Sequence, residues 1–350
     1  MTAMPVDGPV TIHTAEWARD AAALDAYVRA HPEATPFHLS AWSLGVAEGC
    51  NQRAHCLIAR DDTGIRGMLP LTEVHSPLFG RALVSNGFAV GGGILSDHIK
   101  AARALAAEAW ALTERLSCPT LELRGGPAPG EGWRHDVTTY LGFARDLAGD
   151  DEAELLAIPR KQRAEVRRSL DNDLTIDFDD RDAHYRVYAE SVHNLGTPVF
   201  PRSLFTSVLD RFGEDADILT VRHGGVAVAS VLSLYFRGTV YPYWGGGAAA
   251  ARALRANDRM YHALMCHARA RGCTRFDFGR SKAGTGPAAF KKNWGFEAVP
   301  LAYAMRTAPG AEPRAINPLD PKNRAKVELW KRLPLPVANR IGPLLSRGLG

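Results

Sequence analysis

The residue best suited to acid–base chemistry is Asp277, which lies in the run Phe276-Asp277-Phe278-Gly279-Arg280. Apolar and polar residues alternate here as they do in a half-buried strand, so the two phenylalanine rings would face the core and Asp277 the opposite side. On that side the carboxylate could act as a base or orient Arg280. The alternative is a structural partner for Arg280 or for a backbone amide.

An aromatic group precedes a triple glycine. Tyr241, Tyr243 and Trp244 are followed directly by Gly245 to Gly247. Two tyrosines two positions apart would share one face of a strand, and aromatic rings beside exposed backbone suit the stacking of an adenine or a sugar. The alternative is core packing, and Pro242 indicates a strand edge.

A charged segment separates the two halves of the chain, from Asp150 to Leu170. Its pattern predicts a short helix, a break at Pro159 and a second helix that carries the basic residues. Lys161, Arg163 and Arg167 on this second helix are candidates for binding phosphate. The alternative is a solvated helix face.

Other residues that could act as nucleophiles, bind a substrate or hold a metal have weaker support from the sequence. His193 closes a predicted helix before a turn, where it could reach a cleft or serve the turn itself. No Ser/His/Asp or Cys/His arrangement can be identified, so we propose no covalent enzyme. The odd number of cysteines and the lack of a C-x-x-C pair predict reduced thiols and no metal site; the cysteines are Cys50, Cys56, Cys118, Cys266 and Cys273.

Composition is that of a globular protein. Hydrophobic residues make up 46% and charged residues 23% of the 350 residues, with a net charge of +4 that argues against a dedicated DNA-binding protein. Residues Met1 to Val10 lack the features of a signal peptide, and no apolar run approaches the roughly 18 residues of a membrane span. We expect a cytoplasmic protein that contacts the inner membrane peripherally at most.

Two segments form an internal repeat. Gly91 to Gly93 are followed by a predicted helix and the strand Leu121-Glu122-Leu123, and Gly245 to Gly247 are followed in the same way by the strand around Asp277. Strand–helix–strand units build parallel strand pairs. The sequence therefore predicts two tandem α/β domains with mixed sheets, at residues 1–150 and 151–310.

The remaining residues, 311–350, form a basic tail. It has eight basic and three acidic residues, hence a charge of +5, and it includes Trp330 and several aliphatic side chains. Prolines at 334, 336 and 343 exclude one long helix. The tail could bind an anionic membrane surface or an envelope-assembly partner, or it could pack on the body as a strap.

The run from Phe276 to Arg280, together with the segment from Gly286 to Phe296, resembles the FemAB family, which consists of peptidyltransferases with two GNAT-type domains. The resemblance is greatest to the branch associated with exosortase (PEP-CTERM) and exopolysaccharide loci. The same block is also similar to CelD-like acetyltransferases. Further matching segments are His38 to Trp42, Leu69 to Leu71, Leu195 to Pro198 and Leu329 to Pro336.

The resemblance implies an enzyme that transfers an acyl or aminoacyl group in cell-envelope or exopolysaccharide synthesis. Its donor would be aminoacyl-tRNA or acyl-CoA, its acceptor a glycan or a peptidoglycan-type molecule, and it would need no metal cofactor. The Fem pattern places a lysine after a phenylalanine, which here is Lys291, near the reacting carbonyl. The catalytic candidates are therefore Lys291, from the resemblance, and Asp277, from the strand pattern. Lys292 is adjacent to Lys291 and could be confused with it, and the alternative is that both lysines are surface residues on a short helix.

Three functions remain open from the sequence. The first is the acyl or aminoacyl transferase of envelope synthesis. A donor other than acyl-CoA is favoured for it, because the glycine loop that GNAT enzymes use for coenzyme A is missing from Arg252 to Asn257. An acyl-CoA-dependent N-acetyltransferase is the second hypothesis. A non-catalytic scaffold for polysaccharide export is the third.

Overall fold

The computed structural model describes residues 9–76, 80–311 and 327–348. Contacts among these residues divide the chain into two compact units. Of the described residues, the first unit comprises 9–76, 80–136, 302–311 and 348, and the second comprises 137–301 and 327–347.

The first unit is built on a seven-stranded mixed sheet with the order β1-β2-β3-β4-β5-β14-β6. Its strands are β1 (Thr11–Thr14), β2 (Arg53–Asp61), β3 (Gly64–Ser76), β4 (Gly80–Ser85), β5 (Thr120–Arg124), β6 (Arg134–Asp136) and β14 (Tyr303–Thr307). Its helices are α1 (Trp17–Ala30), α2 (Ser40–Cys50) and α3 (Ile99–Arg115). The small residues of α3, with Leu105 and Trp110, form the core against the inner face of the sheet.

The second unit repeats this plan in a sheet with the order β13-β7-β12-β11-β10-β9-β8. Its strands are β7 (Tyr140–Asp146), β8 (Thr175–Phe178), β9 (Ala216–His223), β10 (Val226–Phe236), β11 (Thr239–Gly247), β12 (Arg275–Lys282) and β13 (Ala298–Pro300). Its helices are α4 (Asp151–Ala157), α5 (Arg160–Leu170), α6 (Arg181–Asn194), α7 (Arg202–Phe212), α8 (Ala251–Leu254), α9 (Ala256–Ala270), α10 (Gly286–Asn293) and α11 (Leu335–Ser346).

The predicted repeat is confirmed at the level of topology. In each unit a parallel pair is joined by one helix: β4 and β5 through α3, and β11 and β12 through α9. The remaining neighbours in both sheets are antiparallel. The two helices predicted around Pro159 are α4 and α5. The prediction of tandem α/β domains with mixed sheets is therefore correct.

The triple glycines differ between the two units. Gly245 to Gly247 end β11, whereas Gly91 to Gly93 lie after β4 has ended at Ser85. The buried Asn86 accounts for the early end, because its side-chain amide donates to Phe37 O at 3.2 Å and to Ser43 Oγ at 2.6 Å. These hydrogen bonds hold the chain away from the strand direction.

Each sheet includes a strand from the other half of the sequence. β7 precedes residue 150 but pairs with β12 in the second unit, and β14 precedes residue 310 but pairs with β5 in the first. The compact units therefore change at 136/137 and 301/302 instead of at the predicted 150 and 310. Of the predicted tail, residues 312–326 lie outside the described residues, residues 327–331 are helical, and α11 follows.

Candidate active site

A bulge in β12 shapes the site around Asp277. Phe276 and Phe278 are buried in the core of the second unit, as alternation predicts. After Asp277, which pairs with Ala144, the register slips by one residue against β7. Gly279 lies in this extra length with a φ of 68°, a conformation that glycine adopts without strain, and its N–H donates to Asp277 Oδ1 at 2.8 Å.

The environment of Asp277 perturbs its ionisation. Burial raises the pKa of the carboxyl, while the Gly279 N–H and the charges of Lys291 and Arg275 lower it, and burial dominates. The hydrogen bond to Gly279 matches the structural alternative considered from the sequence. The Arg280 guanidinium lies over the Tyr140 ring, 4.6 Å from its centroid.

Lys291 lies beside this bulge, on α10. Its Nζ donates to the Arg280 carbonyl at 3.0 Å and is 5.4 Å from the Phe278 ring centroid and 5.5 Å from that of Phe143. Burial lowers the pKa of Lys291 to about 8, with Asp277 opposing the shift. Lys292, the adjacent alternative, is exposed. An ammonium held in so apolar a place can stabilise negative charge that develops next to it.

Tyr241 follows the point where β11 and β12 stop pairing. Their parallel ladder comprises the pairs Thr239–Arg275 and Val240–Phe276, although both strands continue. Burial raises the pKa of the Tyr241 hydroxyl, and the nearby Asp277 charge raises it further. The structure therefore brings together Asp277, Lys291 and Tyr241 where the two strands part.

The second bulge, in β11, changes the directions of the aromatic side chains. Leu232 pairs with Trp244 and Ser233 with Pro242, so Tyr243 is an extra residue in the strand. Because this bulge interrupts the two-residue period, simple alternation does not determine whether Tyr241 and Tyr243 share one face, and their shared face stays a prediction.

Comparison with known proteins adds the family context. Residues 160–292 match the model of the acetyltransferase (GNAT) domain, and the sequence matches none of the curated proteins. Among solved structures, FemX superposes with a TM-score of 0.66 at 16% identity, over 91% of this chain and 100% of that one. The chain has the tandem GNAT fold.

Two further structures share this tandem GNAT fold. A tandem GNAT protein of the clavulanic acid biosynthesis pathway matches with a TM-score of 0.54 and 14% identity, over 87% of this chain and 100% of that one. The C-terminal domain of a putative lysylphosphatidylglycerol synthetase from Agrobacterium fabrum gives 0.54 and 13%, over 84% and 93%. The FemAB-like resemblance is thus confirmed for the fold.

Trp244 and the triple glycine serve packing in this GNAT domain. The Trp244 ring is buried and meets Phe205 edge-on at 5.0 Å between centroids. A Cβ on Gly246 would lie 2.2 Å from Ser191 Oγ of α6, and one on Gly247 would lie 2.7 Å from Asn257 Oδ1 of α9. Trp244 is therefore a core residue, as the alternative interpretation proposed, and the glycines permit close approach of two helices.

The basic helix α5 buries one face and exposes the other. Gln162, Val166 and Ser169 are buried, and Val166 belongs to the core. Arg163 donates to the Leu156 carbonyl at 2.9 Å, so it caps the preceding helix. The other two candidates of the predicted phosphate strip, Lys161 and Arg167, are exposed.

His193 lies at the C-terminal end of α6, half-buried. Its carbonyl accepts the Gly196 N–H at 2.8 Å, which is the turn role considered from the sequence. Its Nε2 is buried and has no hydrogen-bond partner among the described residues. A ligand role for the ring remains a prediction.

The segment between β11 and α9 is the region in which the sequence lacks the glycines of the GNAT coenzyme A loop. It forms α8, and Arg255 then adopts a left-handed conformation with φ 53° before α9 begins. The Arg255 guanidinium is engaged by Glu165, with Nε 2.5 Å from the carboxylate. Within the described residues, no group of three or more His, Cys, Asp and Glu side chains could hold a metal ion.

Sequence reasoning missed the contribution of β7. Phe143 and Tyr140 flank Lys291 and Arg280, yet they lie more than 130 residues earlier in the chain. The alternating pattern of Tyr140 to Asp146 indicates a strand, but only the fold shows which sheet it joins.

Proposed function

We propose that the chain is an acyl or aminoacyl transferase whose reaction takes place beside Lys291. The observation that carries the proposal is the half-buried Lys291 ammonium between two phenylalanine rings, next to Asp277 and the point where β11 and β12 part. In GNAT folds of this kind an acceptor amine or hydroxyl attacks the carbonyl of an activated donor.

The three residues take complementary roles in this reaction. Lys291 stabilises negative charge on the carbonyl oxygen or on the leaving group. Asp277, whose pKa burial raises, is a base within reach of the same place and accepts the proton of the acceptor. Convergence of Lys291, Asp277 and Arg280 on one bulge disfavours the non-catalytic scaffold.

The finer assignment is a FemAB-like enzyme of cell-envelope or exopolysaccharide (PEP-CTERM-associated) synthesis that uses aminoacyl-tRNA. The sequence resemblance supports it, and so does the replacement of the coenzyme A loop by α8, with Arg255 held by Glu165. Its acceptor would be a glycan or peptidoglycan-type molecule.

The test is transfer of a labelled aminoacyl group from a panel of aminoacyl-tRNAs to envelope precursors, followed by mass spectrometry of the product. We expect transfer with the natural sequence and with Lys292→Ala, and a large loss with Lys291→Met. Full transfer by Lys291→Met would remove Lys291 from the mechanism. Transfer from acyl-CoA alone would replace the proposed donor.

The second candidate is an acyl-CoA-dependent N-acyltransferase, which the match of residues 160–292 to the acetyltransferase domain favours. A ligand that binds only the folded state raises the midpoint of thermal unfolding. A saturable rise with acyl-CoA species would support this candidate, and an unchanged midpoint at saturating concentrations would exclude it.

We further propose that α11 attaches the protein to an anionic membrane surface. The helix buries Ala338, Gly342 and Ser346, and the Ser346 hydroxyl donates to Val199 O at 2.7 Å. Val337, Ile341 and Leu344 form an exposed apolar stripe on the opposite side. This arrangement is typical of helices that lie in a membrane interface.

Basic residues lie near the apolar stripe and would complete the membrane-binding surface of the protein. Arg340 is an exposed residue of α11, Arg347 follows the helix at its C-terminal end, and Lys331 and Arg332 precede the helix. No described helix is both long enough and apolar enough to cross a bilayer.

Sedimentation with liposomes tests this attachment. We expect binding to vesicles with phosphatidylglycerol, little binding to phosphatidylcholine alone, and a loss with Ile341→Glu. Val226→Glu is the matched control, because Val226 is an exposed aliphatic residue on a different surface. Equal binding by the Ile341 and Val226 variants would contradict the role of α11.

A further inference from the structure

A cavity with a volume of about 820 Å³ lies in the second unit, away from Lys291. It is formed where β8 ends, β9 begins and α9 ends, and its lining includes Phe178, Asp217, His267 and Arg271. Small-molecule sites have volumes of roughly 300–1,000 Å³. Strands β9 and β12 are separated by three inter-strand spacings, about 14 Å, so this cavity is distinct from the site at the β12 bulge. We call it the Asp217 cavity.

Asp217 organises the polar side of the cavity. Its carboxylate is buried and accepts hydrogen bonds from Tyr235 OH at 2.9 Å and from His267 Nε2 at 2.8 Å, and Arg271 Nη1 lies 3.3 Å away. The hydrogen bond at Nε2 fixes the orientation of the His267 ring. Three donors on one carboxylate make a rigid polar wall.

An aromatic surface lies beside this wall. The Phe178 ring is 4.5 Å from the His267 ring between centroids, yet 41% of Phe178 is exposed. Arg271 lies over the Tyr235 ring at 4.0 Å from its centroid. A flat or apolar ligand could therefore stack on Phe178 while its polar end reaches the carboxylates.

The lining is acidic. The lining has four carboxylates and two guanidinium groups, so these groups together carry a formal charge of −2. The carboxylates are Asp179, Asp210, Glu214 and Asp217, and the guanidinium groups are Arg181 and Arg271. Arg181 pairs with Asp210 at 2.6 Å, and Arg271 faces Asp217. Asp179 and Glu214 have no basic partner within ion-pair distance among the described residues.

Asp179 is also held in a rare backbone conformation. Its φ is 62°, which is uncommon for residues other than glycine but is tolerated by Asp and Asn. Its N–H donates to Ile218 O at 2.9 Å, which fixes the turn between β8 and α6 at the edge of the cavity. Strained residues of this kind are often found in ligand sites.

We propose that the Asp217 cavity binds an organic amine cation with a flat or apolar body. The ammonium group contacts the carboxylates of Asp179 and Glu214, and the body stacks on Phe178. The site lies apart from the proposed acyl-transfer site, and it would serve recognition of an amine-bearing effector.

Nuclear magnetic resonance of the full ¹⁵N-labelled chain tests the proposal, with benzylamine as the charged probe and benzyl alcohol as its neutral match. We expect saturable amide shifts confined to residues 178–181, 213–218 and 267–271 with benzylamine, and at least roughly tenfold weaker binding of the alcohol. Asp179→Asn, which preserves the backbone conformation, and Glu214→Gln should each weaken benzylamine binding about two- to fivefold, as expected for partly exposed charge pairs.

Asp62→Asn, an exposed aspartate of the first unit, is the matched control and should bind as the natural sequence does. Thermal melts of each variant establish that it is folded. The proposal is overturned by the absence of saturable shifts, by equal binding of benzyl alcohol, or by full binding in the folded double variant Asp179→Asn/Glu214→Gln.

Discussion

Replacement of Lys291 by methionine tests the proposed chemistry most directly. Methionine preserves the length of the side chain and removes its charge. Burial lowers the Lys291 pKa from 10.5 to about 8, so its surroundings disfavour the ammonium by about 3 kcal/mol relative to water. A negative charge that forms next to this ammonium recovers that energy. Loss of one such donor typically lowers kcat by ~10²–10³.

The assay is a single-turnover rate of transfer as a function of pH. If the protonated lysine stabilises the transition state, the rate of the natural sequence falls as pH rises through about 8. If Lys291 were instead the general base, the rate would rise through the same pH. Lys292→Ala should retain the rate within about twofold, because Lys292 is exposed and adjacent. A rising limb or an unchanged Lys291→Met rate refutes the reasoning.

The pH dependence of the free energy of unfolding gives an independent readout of the lowered Lys291 pKa. The folded pKa lies below the unfolded value, so the unfolded chain binds more protons between pH about 8 and 10.5, and stability rises with pH across that window. At pH 7 both states are protonated and the full penalty is present. Lys291→Met should therefore be more stable at pH 7, by at most about 3 kcal/mol, a figure that already includes the attraction of Asp277 for the ammonium. Chemical denaturation of both proteins at pH 7 and at about pH 10.5 measures this difference in the free energy of unfolding.

Two further substitutions probe the surroundings of Lys291, and a third tests the packing of the triple glycine. Asp277→Asn removes the proposed base, so the single-turnover rate should fall. It also removes an attraction for the Lys291 ammonium, so the falling limb of the residual rate–pH profile should move to lower pH. It should also raise stability at neutral pH, because burial raises the folded pKa of Asp277 and ionisation above that pKa costs stability. Phe143→Leu should cost about 1 kcal/mol in denaturant unfolding, because Phe143 is buried in the core of the second unit. Gly246→Ala should cost about 1–3 kcal/mol, because the added Cβ would meet Ser191.

The sequence predicts the repeated units because their signals are local. Strand alternation, turn glycines and helix lengths are each contained within some 30 residues. The helix predicted between each triple glycine and the strand that follows it is observed as α3 in the first unit and α9 in the second. Asp277 faces away from the core for the same reason, since the alternation of Phe276 and Phe278 extends to the bulge.

Two features could not be predicted from the same patterns: the bulges, and the strand exchange by which β7 and β14 each join the sheet of the other half of the sequence. A bulge depends on which residue of a partner strand is skipped, and Gly279 carries only a general tendency toward positive φ. Likewise, the pairing of β7 with β12 is a choice between sheets that the local sequence does not encode. The bulge in β11 bears on which face Tyr243 occupies. The strand exchange places the limits of the compact units at 136/137 and 301/302 and not at 150 and 310.

The strand exchange also determines what the candidate site is made of. Phe143 on β7 lies under the Lys291 ammonium, and Gly142 of the same strand allows Leu301 to approach so closely that a Cβ would lie 3.0 Å from Leu301 Cδ2. Without β7, Lys291 would lose an aromatic neighbour and gain water, and its pKa would return toward its ordinary value. The chemistry proposed for a lysine near residue 290 therefore depends on a strand near residue 140, and the pattern of a single repeat is not sufficient to define the site.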